Sequence, residues 1–301
     1  MPQHYHDGEL AVQARAGTVE QAAAMARTFR TSLPAPLMRF LATQRWIIVG
    51  ATDTAGRVWA SPVVGAPGFV RAADETTVRI DALPVTSDPL RNLAGRPAGQ
   101  PAGLLAIDLG RRKRARINGT LRHDAGGVVM SVERAYPNCM KYIQRRENLG
   151  IGDQPPVPVV VAEADRVTAE QIDLLRAADT AFIATIAEGH GADVSHRGGP
   201  PGFLRCLGGG RVIQFVDYPG NGMFNTLGNL ELDSRAGLTI TCFGTGDLLQ
   251  LTGRATVVRT PLTSAAPGTV DFVIDRAVHT RRGVPFRFGP VEYSPFLPQQ
   301  H

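Results

Sequence analysis

Apolar residues recur along the chain in short runs, broken by polar stretches that carry glycine or proline. Such runs predict strands and turns rather than long helices. Trp46-Ile47-Ile48-Val49 and Ala181-Phe182-Ile183-Ala184-Thr185-Ile186 each open a similar series. A second strand follows each (58–64; 192–196), then one carrying Phe69-Val70-Arg71 or Phe203-Leu204-Arg205, then a fourth (77–80; 211–216) and a short helical segment. A hairpin closes each series, 103–109 with 114–121 and 237–243 with 248–258. Helices are expected over the Ala-rich 20–29, over 131–146, and over 169–177 with Thr168 as N-cap.

The two series are in register. Gly65-Ala66-Pro67-Gly68-Phe69-Val70-Arg71 returns as Gly199-Pro200-Pro201-Gly202-Phe203-Leu204-Arg205, an offset of 134 (Phe69 to Phe203). The same offset pairs Ser61 with Ser195, Val78 with Val212, Leu93 with Leu227, Gly103-Leu104 with Gly237-Leu238, Gly110 with Gly244 and Gly119 with Gly253. This pattern reads as a tandem duplication of one small domain. The expected fold class is mainly β with short helices (α+β): two tandem barrels, each closed so that no strand edge is left exposed. The organisation expected is an N-terminal helical arm (1–35), a first barrel (36–150), a Pro-rich linker (151–168) and a second barrel (169–301).

Composition adds little beyond this frame. The chain of 301 residues is 43% hydrophobic and 20% charged, which fits globular domains with real cores and excludes general disorder. Cys139, Cys206 and Cys242 are odd in number and scattered, so neither a disulfide framework nor a Cys-x-x-Cys site is available, and a reducing compartment is expected. The N-terminal residues lack an apolar core behind them and no run approaches the length of a membrane helix. A cytoplasmic protein without membrane partners is the expectation. The net charge of +5 is spread along the chain, and its one dense run, Arg111-Arg112-Lys113-Arg114, reads as a solvated hairpin turn. No aromatic residues interleave with it, so nucleic acid is not an expected partner.

Motifs for hydrolases, P-loop enzymes and dinucleotide folds are absent, and the seven histidines lack ligand spacing, so no metal is expected. Two polar stretches of the second copy stand out. Asp193-Val194-Ser195-His196-Arg197-Gly198-Gly199-Pro200-Pro201 ends a strand, with glycines that permit close approach and an arginine fork suited to an anion; an edge-strand turn with a solvated arginine is the alternative. Asp217-Tyr218-Pro219-Gly220-Asn221-Gly222 leads into a helix bearing Asn225, Thr226 and Asn229. Amides at Gly220 and Gly222 would sit at that helix N-terminus, and Asn221, Asn225 and Asn229 would share one stripe. A phosphate or polar ring is the natural occupant; an Asn-capped helix packed beneath a loop is the alternative. The first copy has Ser61-Pro62-Val63 and a Pro-rich stretch (84–101) instead. Tyr136 to Arg146 reads as a helix start from which Lys141 reaches the ligand of the other copy, or as packing and surface charge.

These residues resemble a known family. SHRGGPPGF, YPGNGMFNTLGNL and LQLTGRA in the second copy, with WASPVVGAPGF and YPNCMKYIQRR in the first, are similar to the tandem two-barrel bacterial branch of the pyridoxamine 5′-phosphate oxidase-like flavoproteins. That resemblance implies two FMN-binding split barrels paired within one chain as an intramolecular pseudo-dimer, itself alone or as a homodimer. It implies FMN held by Ser195, His196, Arg197, Gly198, Gly199, Asp217, Tyr218, Gly220, Asn221, Gly222, Asn225, Thr226, Asn229, Gln250 and Lys141. It also implies a flavin-dependent oxidoreductase acting on a small molecule, with NADH, NADPH or a separate reductase as donor. His196 is the one candidate for proton transfer. A flavin or haem carrier without turnover, or a degenerate barrel serving as an interaction module, are the alternatives.

Overall fold

A computed structural model describes residues 4–92, 99–124, 127–151, 157–258 and 268–298. Its elements, in chain order, begin with three helices, α1 (Asp7–Ala16), α2 (Val19–Ala26) and α3 (Ala35–Ala42). Then come β1 (Trp46–Thr52), β2 (Val58–Val64), β3 (Val70–Ala72), β4 (Thr77–Ile80), β5 (Gln100–Asp108), β6 (Lys113–Asp124) and β7 (Gly127–Asn138). After β8 (Asn148–Ile151), β9 (Val159–Ala164) and α4 (Ala169–Ala177), the second unit comprises β10 (Thr180–Ala187), β11 (Gly191–Gly198), β12 (Arg205–Leu207) and β13 (Val212–Val216). It is completed by α5 (Asn225–Leu232), β14 (Arg235–Thr241), β15 (Leu248–Val258), β16 (Thr269–Arg281) and β17 (Phe286–Phe288).

The two antiparallel sheets have one strand order. The first runs β2-β1-β5-β6-β7-β4-β3 and the second β11-β10-β14-β15-β16-β13-β12. Each contains the same irregularity: a bulge at Asn118/Gly119 in one and at Thr252/Gly253 in the other. A Cβ at Gly119 would lie 1.9 Å from the Ser131 carbonyl oxygen, and one at Gly253 1.9 Å from that of Val273, so the bulge requires glycine at both places. Each ladder ends at two strands, β2 and β3 or β11 and β12, rather than closing on itself. These are split barrels, and the closed cylinder expected from sequence does not form. The edges at β2 and β11 are covered instead by the other unit, while helices pack on β3 and β12.

That cover explains why β1, β5 and β10 are apolar on both faces. Ile47, Val49, Leu104 and Ala106 enter the core of the first unit, while their neighbours Trp46, Ile48, Leu105 and Ile107 enter a separate core shared with Phe182, Ala184, Val194 and Leu248 of the second. Ala181 and Ile183 alternate the other way, into the second unit's own core. Period two thus sends every other residue to the interface. Two glycines let the units approach. A Cβ at Gly103 would be 2.8 Å from the Val194 nitrogen, and one at the equivalent Gly237 2.6 Å from the Trp59 Cα. The contact has the pseudo-two-fold form of a dimer interface, inside one chain.

Several local expectations need correction. Residues 131–146 do not form a helix: through Asn138 they belong to β7, where Val128, Met130, Ala135 and Tyr136 are buried against β6 and the chain then turns with Tyr142 at φ 64°. The ladder to β6, running from Gly127 to Asn138, outweighs the helix-forming residues of this stretch. Helix α1 lies within the arm expected to be helical, where the sequence marks only 20–29 as a helix, and its cap is His6. The His6 ring accepts from the Glu9 amide while the Glu9 carboxylate accepts from the His6 amide, a capping box built on an unusual residue. Thr168 caps α4 as expected. The tract 152–156 lies outside the described residues, but β9 just beyond it pairs with β16. At the far end, β17 returns to pair with β8.

Candidate functional site

The units meet so that β11 and α5 of the second face β6 and β7 of the first. On β11, period two divides the side chains. Ser195 turns toward α5, its hydroxyl bonding Thr226 Oγ1 at 2.8 Å and Asp193 Oδ2 at 3.1 Å. His196 turns across the interface, where its Nδ1 lies 2.9 Å from Arg114 Nη1. A guanidinium can only donate, so Nδ1 accepts and the proton resides on Nε2. Burial and the neighbouring Arg114, Arg197 and Arg116 hold the imidazole pKa well below its usual value. His196 is therefore a neutral donor.

Arg114 and Arg116 come from alternate positions of β6 and are buried. Burial, reinforced by Arg116 and Arg197, lowers the Arg114 pKa to about 9. Arg116 Nη1 donates to Asp193 Oδ2 at 3.1 Å and to Asn225 Oδ1 at 3.0 Å. Arg197 is ion-paired with the buried Asp217, whose pKa is raised by burial against the pull of that arginine. A cavity of about 70 Å³ opens among Arg114, Arg116, Arg197, His196, Lys141 and Asn221. Around it, Arg116 Nε, His196 Nε2 and Arg197 Nε are buried donors without a protein partner. Such atoms are costly to leave unpaired, so three together mark a place for an acceptor.

A larger cavity, about 760 Å³, lies on the other side of the Arg116–Asp193–Asn225 contact, with Glu9, Tyr136, His190 and Asn229 in its wall. Burial raises the Glu9 pKa, and His6 and Asn225 pull it back.

The expected residues divide between these places. Lys141, His196, Arg197, Gly198, Tyr218, Gly220 and Asn221 line the small cavity, and the Tyr218 ring packs on Tyr142 at 5.3 Å. A Cβ at Gly198 would fall 1.9 Å from the Tyr142 carbonyl oxygen, so the turn after β7 seats directly on this glycine. Gly199 is covered by Phe203. Asn225 and Asn229 line the large cavity, and Ser195 and Thr226 are buried between. The Asn stripe does not form: α5 begins at Asn225, behind Phe224 at φ 57°, and Asn221 precedes it in a loop. The Gly220 and Gly222 amides accordingly are not those of the helix terminus. Asn221 instead donates to Asn138 Oδ1 at 2.8 Å. Gln250 stands apart from all the others, donating to Asp88 Oδ2 at 2.8 Å and to Ser61 Oγ at 3.1 Å.

Arg114 and Arg116 escape a sequence reading that sees a charged turn. Their separation by two, continued to Asn118 in a strand, is the signal that they share one buried face. Asp193 opens the polar stretch of β11, but nothing in the sequence marks it as the partner of Arg116, and nothing points to Glu9. Among the described residues, no cluster of His, Cys, Asp and Glu could hold a metal, and no helix is long and apolar enough to cross a membrane.

No family model and no curated protein matches the chain. Solved structures do. One is a Clostridium acetobutylicum protein related to general stress protein 26, of the pyridoxinephosphate oxidase family (11% identity; 40% of this chain and 91% of that one; TM-score 0.30). Others are a FAD-binding protein of Mesorhizobium loti (10%; 42% and 99%; 0.29) and the FAD binding protein of Mycobacterium smegmatis (13%; 41% and 98%; 0.26). Each of these solved structures overlaps about two fifths of this chain.

Proposed function

We propose that the protein binds FMN between its two units and acts as a flavin-dependent oxidoreductase on a small molecule, with a soluble reduced nicotinamide or a separate reductase as electron donor. The observation that carries this reading is the set of three unpartnered buried donors on the basic cavity. Arg114, Arg116, Arg197 and Lys141 line it, while Asp193 and Asp217 are paired with Arg116 and Arg197. Four cations against two carboxylates leave an excess of two positive charges, which a dianionic phosphate monoester neutralises. The cavity's volume suits the phosphate group alone. The residues present therefore fit that end of FMN.

In this reading Arg116 and Arg197 hold the phosphate through their free Nε–H groups, and Lys141 adds charge at the rim. His196 donates a hydrogen bond from Nε2–H to the ligand. It is no general base there, because its other nitrogen is engaged by Arg114. Bound FMN supplies two-electron redox chemistry at its ring system.

The test is direct. Added FMN should raise the melting temperature and remain with the protein through gel filtration, whereas riboflavin, lacking the phosphate, should bind far less. Anaerobic NADH or NADPH should bleach the bound flavin. Absence of any FMN retention overturns the proposal; retention without reduction by any nicotinamide or reductase leaves a carrier in place of an enzyme.

A further inference from the structure

The N-terminal arm reaches this cavity from the opposite end of the chain. Helix α1 docks on α5 at a pair of glycines: a Cβ at Gly8 would lie 2.2 Å from the Gly228 carbonyl oxygen. That approach buries Glu9, which is 2% exposed. Its Oε1 accepts from Asn225 Nδ2 at 2.5 Å and its Oε2 from the His6 amide at 3.0 Å. Asn225 Oδ1 in turn accepts from Arg116 Nη1 at 3.0 Å.

The direction of this chain is forced by chemistry. A carboxylate only accepts and a guanidinium only donates, so the Asn225 amide has one orientation that satisfies both. Remove the acceptor at Glu9 and the Asn225 NH2 group loses its partner, so the Arg116 contact itself is left to hold the amide in place. Arg116 is one of the two arginines whose Nε is left unpartnered beside the basic cavity. The arm also holds the loop before α5, because Gln13 donates to the Met223 carbonyl at 3.0 Å and Thr18 to that of Gly222 at 3.2 Å.

We propose that Glu9 is a positioning residue of the anion site, setting the Arg116 guanidinium through the Asn225 amide, so that the N-terminal arm is a working part of a site otherwise formed by the two barrels. The proposal rests on the reading of the basic cavity as an anion site.

The experiment uses the full chain and inorganic phosphate as probe, with affinity from calorimetry and melting temperature measured alongside. Glu9→Leu, which keeps volume and loses both acceptors, and Glu9→Ala are made in parallel so that a folding failure in one leaves the other. Either should bind phosphate about tenfold more weakly, as expected for loss of one well-placed charged hydrogen bond. Glu9→Gln, which retains an acceptor for Asn225, should recover to within about twofold of wild type. Arg15→Ala, which removes the exposed Arg15–Glu231 ion pair of the same helix, should leave affinity unchanged. A lower melting temperature in Glu9→Leu and Glu9→Ala with unaltered phosphate affinity would mean that Glu9 is merely structural, and overturns the proposal. Failure of Glu9→Gln to recover also overturns it. If wild type itself binds no phosphate, the reading of the cavity fails with it, an outcome distinguishable from the first two.

Discussion

The pseudo-two-fold axis creates two ends of the interface from the same structural parts, and the chain has treated them oppositely. Each end combines the β2-type strand of one unit with the β6- and β7-type strands of the other. At the first end stand Asp193, Ser195, His196 and Arg197, facing Arg114 and Arg116. At the second, the offset of 134 places Trp59, Ser61, Pro62 and Val63, facing Leu248 and Gln250. Only the serine is kept. The second end is also filled from within: Asp88 accepts from Ser61 Oγ at 2.6 Å and from Gln250 Nε2, while Leu90 is buried nearby. One end keeps unpaired donors around a basic cavity; the other pairs its donors, Ser61 Oγ and Gln250 Nε2, with a carboxylate of its own chain and leaves only an acceptor, Gln250 Oε1, without a partner. A fold this symmetric sets where sites can be, and side chains decide which of them stays open.

The largest expected effect comes from cutting the open end's central contact. Arg116→Ala strands the buried Asp193, and loss of one partner of a buried pair costs about 3–5 kcal/mol. Urea unfolding should show that loss together with loss of FMN retention, and an unchanged midpoint would break the contrast between the ends.

At the closed end the carboxylate is the sensitive part. Burial raises the Asp88 pKa from 3.8 to about 6, with Ser61, Leu90 and Gln250 opposing. A pKa higher in the folded state than in the unfolded one means stabilisation that is full below pH ~4 and lost as pH rises through ~6. The contribution is about 3 kcal/mol by the size of that shift. Asp88→Asn should flatten this slope in pH-dependent unfolding without touching FMN affinity. A slope that persists in the variant would remove Asp88 from the account.

Smaller effects sharpen the division. Gln250→Ala should cost about 1–2 kcal/mol of stability by leaving Asp88 short of a donor, with flavin binding unchanged. Weakened binding in that variant would join the two ends again. Arg197→Ala should weaken FMN binding about tenfold at nearly constant stability, since Arg197 is only partly buried and Asp217 can then take up a proton. Equal flavin content in the purified variant would contradict its role.

Much of the fold was legible because it is written in local pattern. Short apolar runs mark β1, β2, β5, β6 and their counterparts, and the 134-residue register marks the duplication. The site was legible in half. Ser195, His196 and Arg197 lie on one strand and declare themselves together, whereas Arg114 and Arg116 acquire meaning only from Asp193 and His196 across the interface. Gln250 shows the same limit from the other side. A reading that groups residues by unit puts it with Ser195, but the pseudo-dimer crosses strands between units, so a β15 residue belongs with Ser61 and a β6 residue with Ser195. Glu9 depends on a docking of α1 that no local pattern announces.

The central claim is that the duplicated fold retains one anion site, at the end built from Arg116, Arg197 and His196. Calorimetric titration of the full chain with FMN tests it most directly. The account predicts one equivalent bound per chain, with Arg197→Ala weakening that event and Gln250→Ala leaving it intact; two equivalents, or an event weakened by Gln250→Ala and not by Arg197→Ala, would contradict it.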